Sequence, residues 1–507
     1  MRALRACLQG AVFFVVGLTC PGAASATTHV VDVGNAGAAD TNAGTEAEPW
    51  KSIQHAADSV APGDEVQVKA GSYAERVVLK TGGSADAKLT FRGVPSRSAK
   101  MFGFKVIDAP YVRIEGFDIT NSPAFDGWDE TQGVFLQADY VEVVDNYFHD
   151  MADAGVVGYW HEPFANHVTV QHNRMYRMQM GITNQGTGWL IEGNEVERLF
   201  MFGDGDCDYC RLFGDGHVVR GNYFHGTNFD EIGSAHVDCF QTFDNNGEHL
   251  RDVLIDGNTC FDFHQAFMGE ASFYGESSHI VFTNNLFAHG GAWGLCVHQI
   301  TGIEAYNNTF YDIAYHGAGF RDGATGIVRN NIFMDVESSY WASDGGQVTG
   351  DYNIMMNASA PDTPGANDLV NTDPLFVDVA NSDFHLGPGS PAVDRGEART
   401  DVPADHDGVA RPQGAGWDIG AYEFCAGTCP SGSSPGWGGF PGSIGTGGTG
   451  GTGSGCGCYL ARGRAATAGA ASILPILLLL LGFRRVRAPG ERGQRQCRSP
   501  KEETGRN

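Results

Sequence analysis

The sequence predicts an all-β fold, a parallel β-helix solenoid, on three observations. Asparagines recur at Asn146, Asn173, Asn194, Asn222, Asn258, Asn285, Asn308, Asn331 and Asn353, each two residues before an apolar residue or Cys. Their spacings of 21 to 36 residues, mostly just above twenty, mark a stacked repeat with insertions. Short apolar alternations such as Val168-Thr169-Val170 and Ile280-Val281-Phe282 stand upstream of most rungs, and a period of two belongs to strands. Each repeat is then one coil. Asparagines at the same corner of successive coils can hydrogen-bond one another, as stacked amides do in other in-register parallel sheets. The ladder is therefore structural.

Taken in order, residues 1–26 read as a secretory signal. Arg2 and Arg5 precede a short apolar run at 11–18, and Ala24-Ser25-Ala26 is a small-residue cleavage site. Residues 27–88 carry an N-terminal cap and the first strands. A short helix is expected over 48–60, with Trp50, Ile53, Ala57 and Val60 on one face, ended by Pro62-Gly63. Strands are expected at 65–69 and 76–80.

The series Trp50-Lys51-Ser52-Ile53-Gln54, Pro62-Gly63-Asp64 and Ala70-Gly71-Ser72-Tyr73 resembles the opening of extracellular right-handed β-helix proteins of the pectate lyase-like superfamily. Chondroitinase B-like and alginate lyase-like enzymes are among them. The resemblance implies a helix that covers the open end of the solenoid, which an exposed stack of strands needs.

Coils occupy 89–370. The largest insertion is expected between Asn194 and Asn222, around Asp204-Gly205-Asp206-Cys207-Asp208, and a second at 227–235. Insertions in a solenoid gather over one face, often the binding face. Residues 371–424 change character. Asp373-Pro374-Leu375-Phe376, Ser390-Pro391-Ala392-Val393-Asp394, Arg411-Pro412 and Asp418-Ile419-Gly420-Ala421-Tyr422-Glu423 resemble the choice-of-anchor Q segment of bacterial surface proteins. That resemblance implies a C-terminal cap joined to an anchor.

Residues 425–458 form a Gly/Ser/Thr/Pro-rich linker. In 459–507 an apolar run at 473–483 is followed by Arg484-Arg485-Val486-Arg487. With Cys456-Gly457-Cys458 before it, this end resembles a MYXO-CTERM-type sorting tail. The resemblance implies cleavage near the Cys pair and attachment at the cell surface. A permanent single-span membrane anchor is the alternative.

The chain has 507 residues, 42% of them hydrophobic, with 71 Gly, which suits a large core with many turns. Twelve of the 33 Lys+Arg and three of the 60 Asp+Glu fall in the two ends, leaving the body near −36. Such a polyanion does not take nucleic acid as a partner. It also repels acidic polysaccharides unless a cation or a local Arg intervenes. A monomer is expected. Export favours disulfides, and the close pairs Cys207/Cys210 and Cys425/Cys429 are the expected ones. Cys239, Cys260 and Cys296 read as buried small residues.

Aligning the strand after each Asn corner sets Val156, Ile182, Cys239, Phe267, Leu295 and Ala318 in one inward series. It places Glu270, His298 and Arg321 in one outward column at about 4.8 Å per coil, with His236 and Asp238 on the same face. A His beside a carboxylate can act as a general base, and an adjacent Arg can neutralise a uronate or a developing charge. A solvated ion-pair ladder is the plain alternative. Asp204, Asp206, Asp208 and Asp215 surround a Gly-bearing loop and suit Ca²⁺. Tyr159, Trp160 and Trp293 are candidate sugar-binding aromatics.

No Lys occurs between Lys105 and Lys501, so lyases that use a Lys base do not map onto the coils. The blocks Asn-Thr-Asp, Asp-Asp, Gly-His-Gly and Arg-Ile-Lys of polygalacturonases are not present as a set. No family's catalytic residues carry over. Three readings of an exported, surface-anchored chain acting on extracellular polysaccharide follow. The first is lyase-like β-elimination with His298 or His236 as base. The second is a non-catalytic glycan-binding or adhesin scaffold. The third is hydrolysis by Asp238 and Glu270 as paired carboxylates.

Overall fold

A computed structural model describes residues 26–121, 131–202, 206–244, 247–271 and 276–427. The expected signal up to Ser25, the linker beyond Gly427, the apolar segment and the basic tail lie outside the described residues, as do Asp204 and Cys429. Among the described residues, no helix is long and apolar enough to cross a membrane.

The fold is the expected parallel β-helix. The strands of the large sheet pair in parallel from coil to coil, most of them with a strand one coil before and one coil after. Three walls can be followed. The first runs through Val112–Glu115, Glu142–Val144, Thr169–Gln171, Leu190–Glu192 and Val218–Arg220 to Gln347–Asp351. The second runs from Phe117–Thr120 through Glu195–Glu197 and Tyr223–His225 to Ile354–Met356. The third starts at Val77–Leu79 and includes Val134–Gln137, Cys207–Arg211 and Val237–Thr242. From residue 147 onward, single long strands such as Thr259–Glu270 and Leu286–His298 turn the corner between the second and third walls.

The asparagine ladder stands at the corner between the first and second walls, and each of its nine rungs is 0–1% exposed. Asn285 shows the pattern. Its N–H and Nδ2 both donate to Asn308 Oδ1 at 2.9 Å, and Nδ2 also donates to the Ile255 carbonyl. These bonds satisfy corner backbone groups that a buried turn would otherwise leave unpaired. The ladder ends on an acid: the Asn353 N–H donates to Asp368 Oδ1 at 2.8 Å. The residue before each rung turns left-handed, as at Gly193, Gly221, Gly257 and Asn284, where Gly and Asn tolerate positive φ.

The N-terminal helix spans Ile53–Ser59, shorter than the expected 48–60. Ser52 caps it, and Glu75 accepts from the N–H groups of Ile53 and Gln54. Ile53, Ala56 and Ala57 are buried in the core cluster with Val31, Val77 and Leu79. The end of the core is thereby covered.

The segment expected as a C-terminal cap packs along the outer side of the second wall. Leu286 and Ala288 of that wall meet Phe384, Ala421 and Tyr422, and Ile332 and Ile354 meet Leu386, Ala392 and Ile419. Arg411 fixes it. Its guanidinium is fully buried on Glu423 at 2.7 Å and reaches Asn284 Oδ1 at 3.0 Å. Burial of such a charge is tolerated because a carboxylate and several carbonyls surround it.

Candidate functional site

The third wall carries the site, and its register corrects one part of the sequence reading. The inward series is Val156, Ile182, Cys210, Phe240, Phe267, Leu295 and Ala318. Phe240 replaces the expected Cys239, and Cys210 adds a rung. The cause is Cys207–Arg211, expected within an insertion but folded as a strand between Arg174–Thr183 and Val237–Thr242. The expected alignment is also one residue off at Asp238, and a one-residue slip exchanges the faces of a strand. Asp238 therefore pairs with Asp208 and Gln265, and Thr242 pairs with Gly269 rather than with Glu270.

The strand also corrects the cysteine pairing. Cys207 and Cys210 are buried and unpaired. Three steps along an extended strand separate them by about 10 Å, beyond the reach of a disulfide. Cys239 and Cys260, expected as buried small residues, are buried in the core and join each other there. Cys296 and Cys425 are disulfide-bonded as well.

The lower part of the outer face gathers three carboxylates around one guanidinium. Arg211 Nε donates to Asp208 Oδ2 at 2.5 Å, and its NH2 stands 3.8 Å from Asp206 Oδ2. Gln241 Nε2 donates to Asp238 Oδ2 at 3.1 Å and to Asp206 Oδ2 at 3.3 Å. Asp208 and Asp238 are buried, while Asp206 and Arg211 are half-buried above them. Asp238 Oδ1 and Gln241 Oε1 are buried with no hydrogen-bond partner.

Burial first, then the charge of Asp206 against that of Arg211, pushes the Asp208 carboxyl up to about 7. Burial, with Asp208 and Asp206 beside it, raises Asp238 well above the carboxylate range. Two buried carboxyls on adjacent coils do not both ionise cheaply.

His236 stands at the edge of this cluster, its N–H donating to Asp206 Oδ1 at 2.8 Å. Its ring meets that of His264, whose imidazole burial pushes down to about 4. Asp215 does not join Asp206 and Asp208. It lies on another strand and binds Arg251 Nε at 2.8 Å and His249 Nε2 at 3.1 Å. The expected four-Asp loop is thus not assembled among the described residues, because 207–211 is wall rather than loop. Elsewhere, Glu195, Glu197 and His225 lie close enough to share a metal ion, with Arg174 already bridging both carboxylates at 3.3 and 3.1 Å.

The upper part holds the expected column. Glu270 pairs with His298, and His298 pairs with Arg321, on three successive coils. His298 Nδ1 lies 2.8 Å from Asp322 Oδ2, a partner that sequence reasoning missed because it follows Arg321 in a turn. Arg321 Nε faces Asp344 at 3.6 Å. Asp238 lies five positions before the residue that would pair with Glu270, so those two carboxylates do not form the expected couple.

The aromatic groups are spread along the wall: Tyr159 and Trp160 follow Tyr147–Gly158, before the Asp208 coil, and Trp293 shares the strand Leu286–His298 with His298. Trp293 is the register partner of Gln265, and its ring meets His316 at 4.4 Å and Trp341 at 5.6 Å. Tyr159 meets Phe135 at 5.5 Å, and Trp160 meets Phe213 at 5.1 Å. Arg211, Gln241, Gln265, His316, Asp322 and Trp341 all went unread in the sequence.

Known proteins share this architecture. A family model described as right handed beta helix region matches residues 211–368. The uncharacterized protein YwoF of Bacillus subtilis (strain 168) is 25% identical over 365 residues, covering 63% of this chain and 71% of YwoF. The solved structure of pectate lyase Pel9A matches with a TM-score of 0.50 and 15% identity, over 79% of this chain and 97% of that one. The complex of XylC with xylose matches with a TM-score of 0.50 and 10% identity, over 69% and 87%. These likenesses make the chain similar to right-handed parallel β-helix proteins in fold.

Proposed function

We propose that this chain acts on extracellular polysaccharide, cleaving glycosidic bonds by hydrolysis on the outer face of the third wall. Asp208 and Asp238 are the acid–base pair. The observation that carries this reading is their placement on adjacent coils, both buried, both raised, and next to the half-open Asp206 and Arg211. General acid–base cleavage needs one carboxyl protonated and one ionised at working pH, and two neighbouring carboxyls that do not both ionise supply that division. Arg211 holds Asp208 in place and stabilises its ionised form. The names of pectate lyase Pel9A and of the XylC–xylose complex support a carbohydrate as substrate.

A second reading is β-elimination with His298 as base. The Asp322 contact at 2.8 Å favours it by orienting the ring, and Arg321 one coil away could neutralise a uronate. The strongly acidic lower cluster disfavours it, because a polyuronate would be repelled there. The test is a screen of the full-length chain on neutral and acidic polysaccharides, reading reducing ends and ultraviolet absorbance together. Hydrolysis releases reducing ends alone. An absorbance gain on a polyuronate would move the reaction to His298. Glycan retention with no turnover on any substrate would leave a binding scaffold.

A further inference from the structure

We infer that Gln265, Trp293, His316 and Trp341 form a separate subsite for an uncharged, hydroxyl-bearing sugar unit. The inference rests on the proposed glycan cleavage at the outer face of the third wall and names what a second part of that face takes. Gln265 is the register partner of Asp238, and Trp293 that of Gln265. At about 4.8 Å per coil, Trp293 stands about 10 Å along the axis from Asp238 and about 14 Å from Asp208. A chain lying along the axis would therefore meet both.

The cage is built. The rings of Trp293, His316 and Trp341 meet pairwise at 4.4, 5.1 and 5.6 Å. Gly319 is the register partner of Trp341, and a Cβ there would come within 2.3 Å of the Trp293 ring, so the absence of a side chain lets the indole of Trp293 lie there. Trp293 and Gln265 are buried, with Trp341 half-open beside them. Trp293 Nε1, Trp341 Nε1, His316 Nε2 and Gln265 Oε1 are all buried and without a hydrogen-bond partner. Indole N–H groups usually find one when buried, and each missing bond is costly. Four unmet polar atoms in one aromatic cluster ask for a ligand that offers several hydroxyl groups and an apolar ring face.

Charge narrows the class. Ser338 Oγ bonds His316 Nδ1 at 2.6 Å, and burial holds this imidazole low, so the ring is uncharged. None of the four side chains carries a formal charge. Arg321, two residues beyond Gly319, is turned to Asp344. A buried carboxylate would find no counter-charge in the cage, which a uronate unit cannot tolerate.

The test is calorimetric titration of the full-length chain with cellohexaose, xylohexaose, mannohexaose and hexagalacturonate. At least one neutral hexasaccharide should bind. Trp293→Phe and Trp341→Phe, which keep a ring and remove the N–H, should each raise its Kd about tenfold. His316→Asn should do the same and covers the case that Trp293→Phe fails to fold. Asp238→Asn should leave Kd within about twofold while ending turnover. Unchanged Kd in the folded Phe and Asn variants overturns the subsite. So does tightest binding of hexagalacturonate, or no binding at all. Binding without turnover in the parent chain leaves the subsite standing and sinks the acid–base reading alone.

Discussion

The backbone N–H of Asp238 donates to the Asp208 carboxylate one coil away, at 3.2 Å. This bond ties the two acids into one titrating unit and sets the first expectation.

Stability should fall as pH rises from about 4 to about 7. Asp208 is pushed up to about 7 in the folded chain, against roughly 3.9 unfolded. A raised carboxyl stabilises the fold fully below its unfolded value and loses that contribution as pH climbs through its folded value. Asp208→Asn should flatten this slope. Chemical denaturation at pH 4, 5.5 and 7 measures it, and an equal slope in both proteins would contradict the buried pair.

The C-terminal segment should loosen at high pH. His385 bridges Asp383 at 2.6 Å and Asp407 at 2.8 Å. Burial alone would lower the imidazole, but Asp407 and then Asp383 outweigh it and lift it to about 9. The bridge is present in full below about 6.5, the unfolded value, and is lost as pH rises through 9. The His385 side chain is 45% exposed, so the effect is modest. Amide exchange of residues 376–386 should speed up above pH 9 in the parent chain and be pH-flat in His385→Gln, after correction for intrinsic exchange.

A single broken rung should be expensive. Asn285→Ala leaves the Asn258 N–H and the Ile255 carbonyl unpaired in the core. The expected loss is about 2–4 kcal/mol in denaturant unfolding. A loss under half of that would mean that water or a neighbouring amide replaces the rung.

Reduction should matter through Cys239–Cys260, which closes a loop of 21 residues. Cys239→Ser should cost about 3 kcal/mol by the chain-entropy estimate. The same protein should then be insensitive to reductant at this bond. Cys207→Ser should not change sensitivity to reductant, since Cys207 is unpaired.

The sequence made the fold and the upper column legible for one reason. Both depend on a repeat whose marker, the Asn two residues before an inward side chain, survives every insertion. Glu270, His298 and Arg321 lie on regular 23- to 28-residue coils, so counting from the marker places them in register. Asp208 and Asp238 lie 14 and 16 residues after their rungs, whereas their register partners Gln265 and Trp293 lie 7 and 8 after theirs, so counting from the marker fails there. Cys207–Arg211 is flanked by Gly and Asp, the composition of a loop, and only its pairing with Val237–Gln241 reveals a strand. Asp322 and His316 sit at left-handed turns and bulges that no period marks.

The most direct test of the account compares Asp238→Asn with His298→Ala in the full-length chain on one substrate that the parent cleaves. Reducing ends should appear without ultraviolet absorbance, fall at least a hundredfold in Asp238→Asn, and fall far less in His298→Ala. An absorbance gain that survives Asp238→Asn and disappears in His298→Ala would contradict the carboxyl pair as the centre of the chemistry.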